Sequence, residues 1–221
     1  MNHIILDILF FISLNLLRLG KFVNLAFFQL FPMIKEHAMK KILGITGSPR
    51  RNGNTHILVS KILEGAGDHG AVTESIFLGD LTIRECNGCH VCWESGECSK
   101  NDDMNALYPK IIESDVIVFG TPVYWYGPTA LMKGFIDRFV YFNSPGNREK
   151  IRGKSAVLAV PFEEDNPGTA ELLVSLFQKS FRYLEMELVS SILVPGVGGK
   201  GEILTKVDSL TVAYELGKRL A

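Results

Sequence analysis

The feature that most constrains the fold is a regular alternation, from Met39 onward, of short apolar runs and longer stretches with helical spacing of apolar residues. Five runs predict strands and five stretches predict helices. The predicted strands cover residues 41–46, 72–77, 116–119, 156–160 and 188–194, and the predicted helices cover residues 55–67, 104–113, 131–141, 169–184 and 207–220. Continuously apolar runs are typical of strands buried on both faces. We therefore expect an α/β fold, a three-layer sandwich in which helices cover both faces of a five-stranded parallel sheet.

Composition excludes several classes of protein. Apolar residues make up 47% and charged residues 21% of the 221 residues, so the chain is neither disordered nor collagen-like. Lysine plus arginine (23) nearly balances aspartate plus glutamate (24), for a net charge of −1. Because this balance gives no general affinity for nucleic acid, we expect no nucleic-acid partner. Four cysteines are too few for a secreted disulfide scaffold of this length, which favours a cytoplasmic location.

Residues 1–38 precede the alternation and form an apolar N-terminal extension. Its uncharged runs, residues 8–17 and 22–34, are shorter than the ~20 apolar residues that span a bilayer. Asp7 lies ahead of the first run and no small-residue cleavage site follows, which argues against a secretory signal. Two interpretations stay open: a mis-assigned gene start, with Met39 as the true start, or a helix on a membrane surface. Membrane contact is expected only if these residues are retained.

The loop after the first predicted strand runs from Gly47 to Thr55 with the sequence GSPRRNGNT. It places glycines, two hydroxyl groups and two arginines at the N-terminus of a predicted helix, where backbone N–H groups attract a phosphate. The loop lacks both the Gly-Lys-Ser/Thr ending of a Walker motif and the Gly-x-Gly-x-x-Gly pattern of dinucleotide-binding proteins. A phosphomonoester, as in FMN, suits this loop better than a diphosphate. The alternative is an ordinary turn capped by Asn54 or Thr55.

A second loop, after the third predicted strand, covers residues 120–128 and has the sequence GTPVYWYGP. A regular helix or strand would bury at most alternate members of its aromatic trio. Aromatic side chains with polar tips can instead stack on a flat ring and hydrogen-bond to its edge. The trio therefore predicts a site for a planar ligand, with an aromatic contact between subunits as the alternative.

Together the two loops resemble those of the NAD(P)H-dependent FMN reductase superfamily, whose fold is flavodoxin-like, and the resemblance covers essentially all of residues 39–221. It implies that the FMN phosphate is held by Ser48, Arg50, Asn54 and Thr55. It also implies that the ribityl chain and isoalloxazine ring lie along Pro122, Val123, Tyr124 and Trp125. A third loop, residues 161–168, is expected near the ring, and its contacts are left unassigned.

All four cysteines fall between residues 86 and 98, with the spacing C-x2-C-x2-C-x5-C. Three thiolates at intervals of three, closed by a fourth, approach the compact pattern that binds a [4Fe–4S] cluster in bacterial ferredoxins. Structural zinc more often uses two separated C-x2-C pairs, so zinc is the second candidate and redox-active or free thiols are the third. The motif resembles that of the iron–sulfur flavoproteins, a branch of the same superfamily. The predicted metal ligands are Cys86, Cys89, Cys92 and Cys98.

These features predict an FMN-binding oxidoreductase that passes electrons between a [4Fe–4S] cluster and FMN, with a small-molecule electron acceptor. No side chain is assigned as catalytic, because the cofactors carry the chemistry. The acidic run at residues 163–165 makes a protein donor such as ferredoxin at least as well supported as NAD(P)H. Alternatives are an NAD(P)H-dependent FMN, quinone or nitro-compound reductase without a cluster, and a non-catalytic flavin electron carrier or redox sensor. The resemblance also implies a homodimer or homotetramer.

Four further residues receive interpretations. His90 is interpreted as a solvated loop histidine and Trp93 as a cover over the cluster. Asp137 and Arg138, on a predicted helix, are interpreted as a surface or interface ion pair.

Overall fold

The computed structural model describes residues 39–221, so the expectations for residues 1–38 lie outside the described chain. The described residues form a five-stranded, all-parallel sheet with strand order β2-β1-β3-β4-β5. The strands are β1 (Lys41–Thr46), β2 (Val72–Phe77), β3 (Val116–Gly120), β4 (Ser155–Pro161) and β5 (Glu187–Val194). This order is that of flavodoxin-like proteins, and it confirms the predicted fold class.

Helices cover both faces of the sheet. They are α1 (Asn54–Gly67), α2 (Val91–Ser95), α3 (Met104–Glu113), α4 (Ala130–Asp137), α5 (Glu171–Tyr183) and α6 (Val207–Leu220). The predicted helix 131–141 is shorter, because a 3₁₀ turn (Arg138–Tyr141) takes over its end. The predicted helix 169–184 likewise begins with a 3₁₀ turn (Pro167–Ala170). The short helix α2 was not predicted, since five residues show too little periodicity.

Burial differs between central and edge strands. Strands β1, β3 and β4 are buried almost throughout, as their continuous apolar sequences predict. Strands β2 and β5 lie at the edges, and β2 is largely exposed. The expectation of strands buried on both faces is therefore wrong for the two edge strands, each of which has a neighbour on one side only.

Two apolar cores flank the sheet, one under α1 and α6 and the other under α3, α4 and α5. Helices α1 and α6 approach each other closely, since a Cβ at Gly217 would lie 1.9 Å from the carbonyl oxygen of Ile62. None of the helices in residues 39–221 is long and apolar enough to cross a membrane.

The order of the strands reverses between β1 and β3, which are neighbours although β2 lies between them in sequence. At their carboxyl ends the N–H of Gly47 donates to the carbonyl oxygen of Gly120, with an N···O distance of 2.7 Å. In open parallel sheets this reversal opens a crevice where ligands bind. The two predicted ligand loops leave the sheet at this crevice.

Candidate functional site

A pocket with about 500 Å³ of unfilled space opens at the carboxyl ends of β1, β3 and β4. Seven of the eight predicted FMN-contacting residues line it: Ser48, Arg50, Asn54, Thr55, Pro122, Val123 and Tyr124. The remaining walls come from Pro161, Phe162, Glu163, Val197 and Gly198. The two predicted loops therefore meet in one site. We name it the flavin pocket after the ligand that its residues predict.

One wall of the flavin pocket is the N-terminus of α1. Gly53 precedes the helix with extended backbone, and no side chain among the described residues caps it. The first N–H groups of a helix have no acceptor within the helix, so they are available to an anion. Ser48 is buried beside them, and its Oγ accepts a hydrogen bond of 3.2 Å from the N–H of Arg50. The alternative of a turn capped by Asn54 or Thr55 is not what the structure shows.

The side chain of Asn54 is bonded to backbone of a segment far along the chain. Its Nδ2 donates to the carbonyl oxygens of Val197 and Gly199, at 3.0 and 2.9 Å. Its Oδ1 accepts from the N–H of Ile203 at 3.2 Å. Because both ends of the amide are engaged, Asn54 offers a phosphate chiefly its backbone N–H. The side chain instead fixes residues 197–203, which we call the glycine segment, against the pocket.

Arg50 reaches the same segment, since its Nη1 donates to the carbonyl oxygen of Gly198 at 2.9 Å. The sequence analysis did not assign residues 197–203 to the site. Their sequence, VGGKGEI, is rich in glycine, which is typical of backbone that approaches a ligand closely. That glycine content is the signal that could have identified the segment.

The loops after β1 and β3 are joined by Thr129, which the sequence analysis also missed. Its buried hydroxyl group donates to the carbonyl oxygen of Gly47 at 2.5 Å and accepts from the N–H of Met132 at 3.2 Å. The second of these bonds caps α4. Gly47 in turn packs so tightly that an added Cβ would lie 2.6 Å from the Cβ of Met132. The N-terminus of α4 thus holds the loop after β1, residues 47–55, in place; we call it the phosphate-binding loop after its predicted role.

The aromatic trio forms a tight turn in which Tyr124 and Gly127 exchange two backbone hydrogen bonds, at 2.8 and 3.0 Å. Trp125 and Tyr126 both have positive φ, 49° and 62°, as in a type I′ turn. Such angles cost energy for residues other than glycine, and strained backbone of this kind is concentrated at functional sites. Trp125 is 96% exposed and lies outside the pocket lining that the described residues define. Its contact with the flavin stays a prediction.

The third loop, whose contacts were left unassigned, closes one side of the flavin pocket. Phe162 is buried and bonds through its backbone to Val194 and Val197, at 3.0 and 2.9 Å. Glu163 follows it at the pocket wall. The wall of the pocket therefore carries the carboxylate of Glu163 as well as the guanidinium of Arg50, and both lie beside Gly198.

The four cysteines line a second, smaller cavity, which we call the cysteine cavity. All four are free thiols: Cys92 is buried, Cys86 and Cys98 are half-buried, and Cys89 is exposed. Burial raises the pKa of Cys92, and the neighbouring cysteines raise it further. A hydrogen bond from the Ser99 hydroxyl group lowers the pKa of Cys89.

Within residues 39–221 no three histidine, cysteine, aspartate or glutamate side chains gather closely enough to bind a single metal ion. A mononuclear zinc site needs every sulfur about 2.3 Å from one point. A cluster is held at several separate iron atoms, so its ligands stand farther apart. Among the described residues the four thiols thus do not form a ready site for a single zinc ion.

Arg138 lies against the cysteine cavity and is 1% exposed, so its interpretation as a surface residue is wrong. Its Nη1 donates to Asp102 Oδ2 at 2.6 Å and to the carbonyl oxygen of Arg84 at 2.9 Å. Its Nη2 donates to the Sγ of Cys98 at 3.2 Å. Asp137 instead pairs with Lys133, one helical turn away. The expected ion pair fails because adjacent residues on a helix face different directions.

Asp102 is the counter-ion of Arg138, and its side chain is 2% exposed. Burial by itself would raise the pKa of Asp102, but hydrogen bonds from Arg138 and from the N–H of Arg84 bring the pKa below its ordinary value. The pair is therefore ionised, and it holds a fixed positive charge beside Cys98.

His90 and Trp93 frame α2. His90 precedes the helix with a positive φ of 56° and lines the cysteine cavity. Trp93 packs edge-on against the His90 ring, with 5.1 Å between centroids, and stays 41% exposed. The described residues that line the cavity do not include Trp93, so the structure gives no support to its predicted covering role.

Comparisons with known proteins agree with this geometry. The chain is 42% identical over 98 residues to an iron–sulfur flavoprotein of Methanocaldococcus jannaschii, a match that covers 44% of this chain and 51% of that protein. It is 30% identical over 186 residues to a Bacillus subtilis protein whose assigned description is an NAD(P)H-dependent FMN-containing oxidoreductase, with coverage of 81% and 97%. This chain spans about half the length of the iron–sulfur flavoproteins that it matches.

Among solved structures, the Trp repressor binding protein of Bacillus subtilis superposes with a TM-score of 0.61 at 25% identity, covering 80% of this chain and 98% of that one. The model of the family described as NADPH-dependent FMN reductase matches residues 40–195, well over half of the sequence. The flavin pocket lies almost wholly within that range. The chain therefore belongs to the NADPH-dependent FMN reductase family.

Proposed function

We propose that this protein is an FMN-dependent oxidoreductase of the iron–sulfur flavoprotein type, in which electrons pass between a [4Fe–4S] cluster and FMN. The observation that carries the proposal is the placement of the two cavities at opposite ends of α4. Thr129, at its N-terminus, bonds to the phosphate-binding loop, and Arg138, just past its C-terminus, bonds to Cys98. At 1.5 Å per residue these two residues are about 14 Å apart along the axis.

The residues of the flavin pocket fit FMN. The uncapped N-terminus of α1, together with Ser48 and Arg50, offers N–H, hydroxyl and guanidinium donors to a phosphomonoester. Pro122, Val123 and Tyr124 provide an apolar wall for the ribityl chain and ring. FMN, when bound, exchanges electrons singly or in pairs, whereas an iron–sulfur cluster exchanges them singly. The chain binds and orients these groups, and no side chain is needed as acid or base.

The cysteines fit a cluster in number and chemical type, since four free thiols line one cavity without forming disulfides. The curated relatives named iron–sulfur flavoproteins support the same assignment. Free thiols of this kind persist in a reducing compartment, and we propose the cytoplasm. We also propose a homodimer or homotetramer, which size-exclusion chromatography with light scattering would test.

The electron donor is the open point of the proposal. Glu163 on the pocket wall opposes the close approach of further phosphates, which favours a protein donor such as ferredoxin over NAD(P)H. The likeness to the Bacillus subtilis oxidoreductase, along nearly all of that protein, favours the second candidate, an NAD(P)H-dependent reductase without a cluster. Anaerobic stopped-flow mixing with NADPH distinguishes them, because rapid bleaching of the flavin at low NADPH supports the second.

The main test is anaerobic reconstitution with iron, sulfide, zinc and flavin analysis on the wild type and two variants. Cys92→Ser should lose iron and sulfide and keep FMN. Arg50→Ala should contain less FMN and keep iron and sulfide. Wild-type protein that binds FMN but neither iron nor sulfide would remove the cluster from the proposal and leave the second candidate.

A further inference from the structure

We propose that Arg138 is a positioning residue that raises the reduction potential of the iron–sulfur centre through its hydrogen bond to Cys98. The inference rests on the proposed function, because it concerns the group that the four cysteines would hold. Among the described hydrogen bonds, that from Arg138 Nη2 to Cys98 Sγ, at 3.2 Å, joins a charged side chain to one of these sulfurs.

The guanidinium is locked in place by its other partners. Nη1 donates to both Asp102 and the carbonyl oxygen of Arg84. The guanidinium group therefore cannot rotate away from Cys98 without breaking these hydrogen bonds. Asp102 is fixed in turn by the N–H groups of Arg84 and Met104, at 3.1 and 3.2 Å. The planar five-donor geometry of arginine suits this arrangement, and the single ammonium of lysine cannot reproduce it.

The direction of the effect follows from charge. A donor bonded to a ligand sulfur withdraws electron density from it, and such hydrogen bonds are among the factors that set cluster potentials. Because the side chain of Arg138 is 1% exposed, screening of its charge by water is weak. An added electron is therefore more stable with Arg138 present, and the potential is higher.

If Arg138 only stabilised the fold, its replacement would change the stability of the protein and leave the potential of the cluster unchanged. Removing Arg138 alone would leave Asp102 buried without its counter-ion, which destabilises proteins strongly. Arg138→Met combined with Asp102→Asn removes both charges together and avoids that cost. Arg138→Lys keeps a positive charge but loses the planar guanidinium group, whose two nitrogens bond to Asp102 and Cys98 at the same time. Asp102→Asn alone keeps the arginine and its bond to Cys98 but leaves Arg138 buried without its counter-ion, so its potential is compared with that of the wild type only at equal iron and sulfide content.

The test is a redox titration of the anaerobically reconstituted full chain, followed by electron paramagnetic resonance, with iron and sulfide content measured in parallel. The double variant should shift the cluster couple at least tenfold toward the oxidised form, about 59 mV downward for a one-electron couple. Arg138→Lys should shift it downward by less, and Asp102→Asn should not lower it. The FMN couple serves as an internal reference.

Loaded variants with the wild-type cluster potential would overturn the inference. Loss of iron from both Arg138 variants would also overturn it, in favour of a role confined to folding. Failure of the proposed function looks different, since the wild type itself would then contain no cluster.

Discussion

The side-chain amide of Asn54 donates a hydrogen bond to the carbonyl oxygen of Val197, so a residue at the start of α1 holds a segment 143 positions later in the chain. With the bonds to Gly199 and Ile203, this contact forms one side of the flavin pocket. Asn54, which is predicted to help hold the FMN phosphate, thus anchors backbone of the pocket through its side chain.

Asn54→Ala should weaken FMN binding about tenfold, because the glycine segment loses all three bonds at once. Asn54→Asp should weaken it further, since the carboxylate cannot donate to the two carbonyl groups and repels the phosphate. Fluorescence titration of the apoprotein with FMN measures both. Wild-type affinity in Asn54→Ala would show that the segment does not shape the pocket.

Arg50 and Arg51 provide a matched pair for testing phosphate recognition. Arg50 lines the pocket, whereas Arg51 pairs with Asp80 and lies over the Phe77 ring, 4.6 Å from its centroid. Arg50→Ala should weaken FMN binding tenfold or more, at least about 1.4 kcal/mol, and leave riboflavin binding nearly unchanged. Arg51→Ala should affect neither. Equal weakening of FMN and riboflavin by Arg50→Ala would contradict a phosphate contact.

The features that could be predicted from the sequence are those set by residues close together in the chain. Strand β1 has the predicted bounds, because an apolar run followed by a Gly-Ser-Pro turn needs no distant partner. The phosphate-binding loop and the cysteine motif are also local patterns. The roles of Asn54, Thr129 and Arg138 are not local, since their partners lie tens of residues or more away. Adjacency in sequence suggested Asp137 as the partner of Arg138, and only the fold shows that it is Asp102.

The turn at Trp125 and Tyr126 should be more stable with residues that favour positive φ. Replacing the pair with Asn-Gly, the preferred sequence of a type I′ turn, should raise the free energy of unfolding by about 1 kcal/mol or more. Little is lost in return, because Trp125 buries almost no surface. Urea denaturation measures the change, and a lower unfolding free energy would show that these rings make stabilising contacts.

Substitutions in the same turn test two flavin contacts that are predicted from the sequence, those of Tyr124 and Trp125. Tyr124→Ala should weaken FMN binding several-fold, because Tyr124 lines the pocket, and Trp125→Ala should change it by less than a factor of about three. A larger effect of Trp125→Ala would support the contact between Trp125 and the flavin that the sequence predicts.

The ion pair of Asp102 and Arg138 should make stability depend on pH in the acid range. The pKa of Asp102 is lowered in the folded protein, so above its ordinary value of 3.8 the pair contributes fully. As the pH falls below that value the unfolded chain takes up the proton first, and the contribution is lost as the pH passes through the lowered pKa. Urea denaturation of cluster-free protein between about pH 5 and pH 2.5 should show a steeper decline for the wild type than for Asp102→Asn. Asp137→Asn, in an exposed pair, should keep the wild-type slope.

Two helical glycines should respond in opposite directions to the same substitution. At Gly217 in α6 an added Cβ would lie 1.9 Å from the carbonyl oxygen of Ile62 in α1, so Gly217→Ala must push the two helices apart. Overpacking of this kind costs about 1–3 kcal/mol, and here the obstacle is backbone that cannot rotate aside. At Gly134 in α4 no described atom lies within 4 Å of an added Cβ, and Gly134→Ala should stabilise the protein by about 0.5–1 kcal/mol through helix propensity. Thermal unfolding of the two variants beside the wild type measures both signs, and a stabilising Gly217→Ala would show that α1 and α6 are not packed as closely as described.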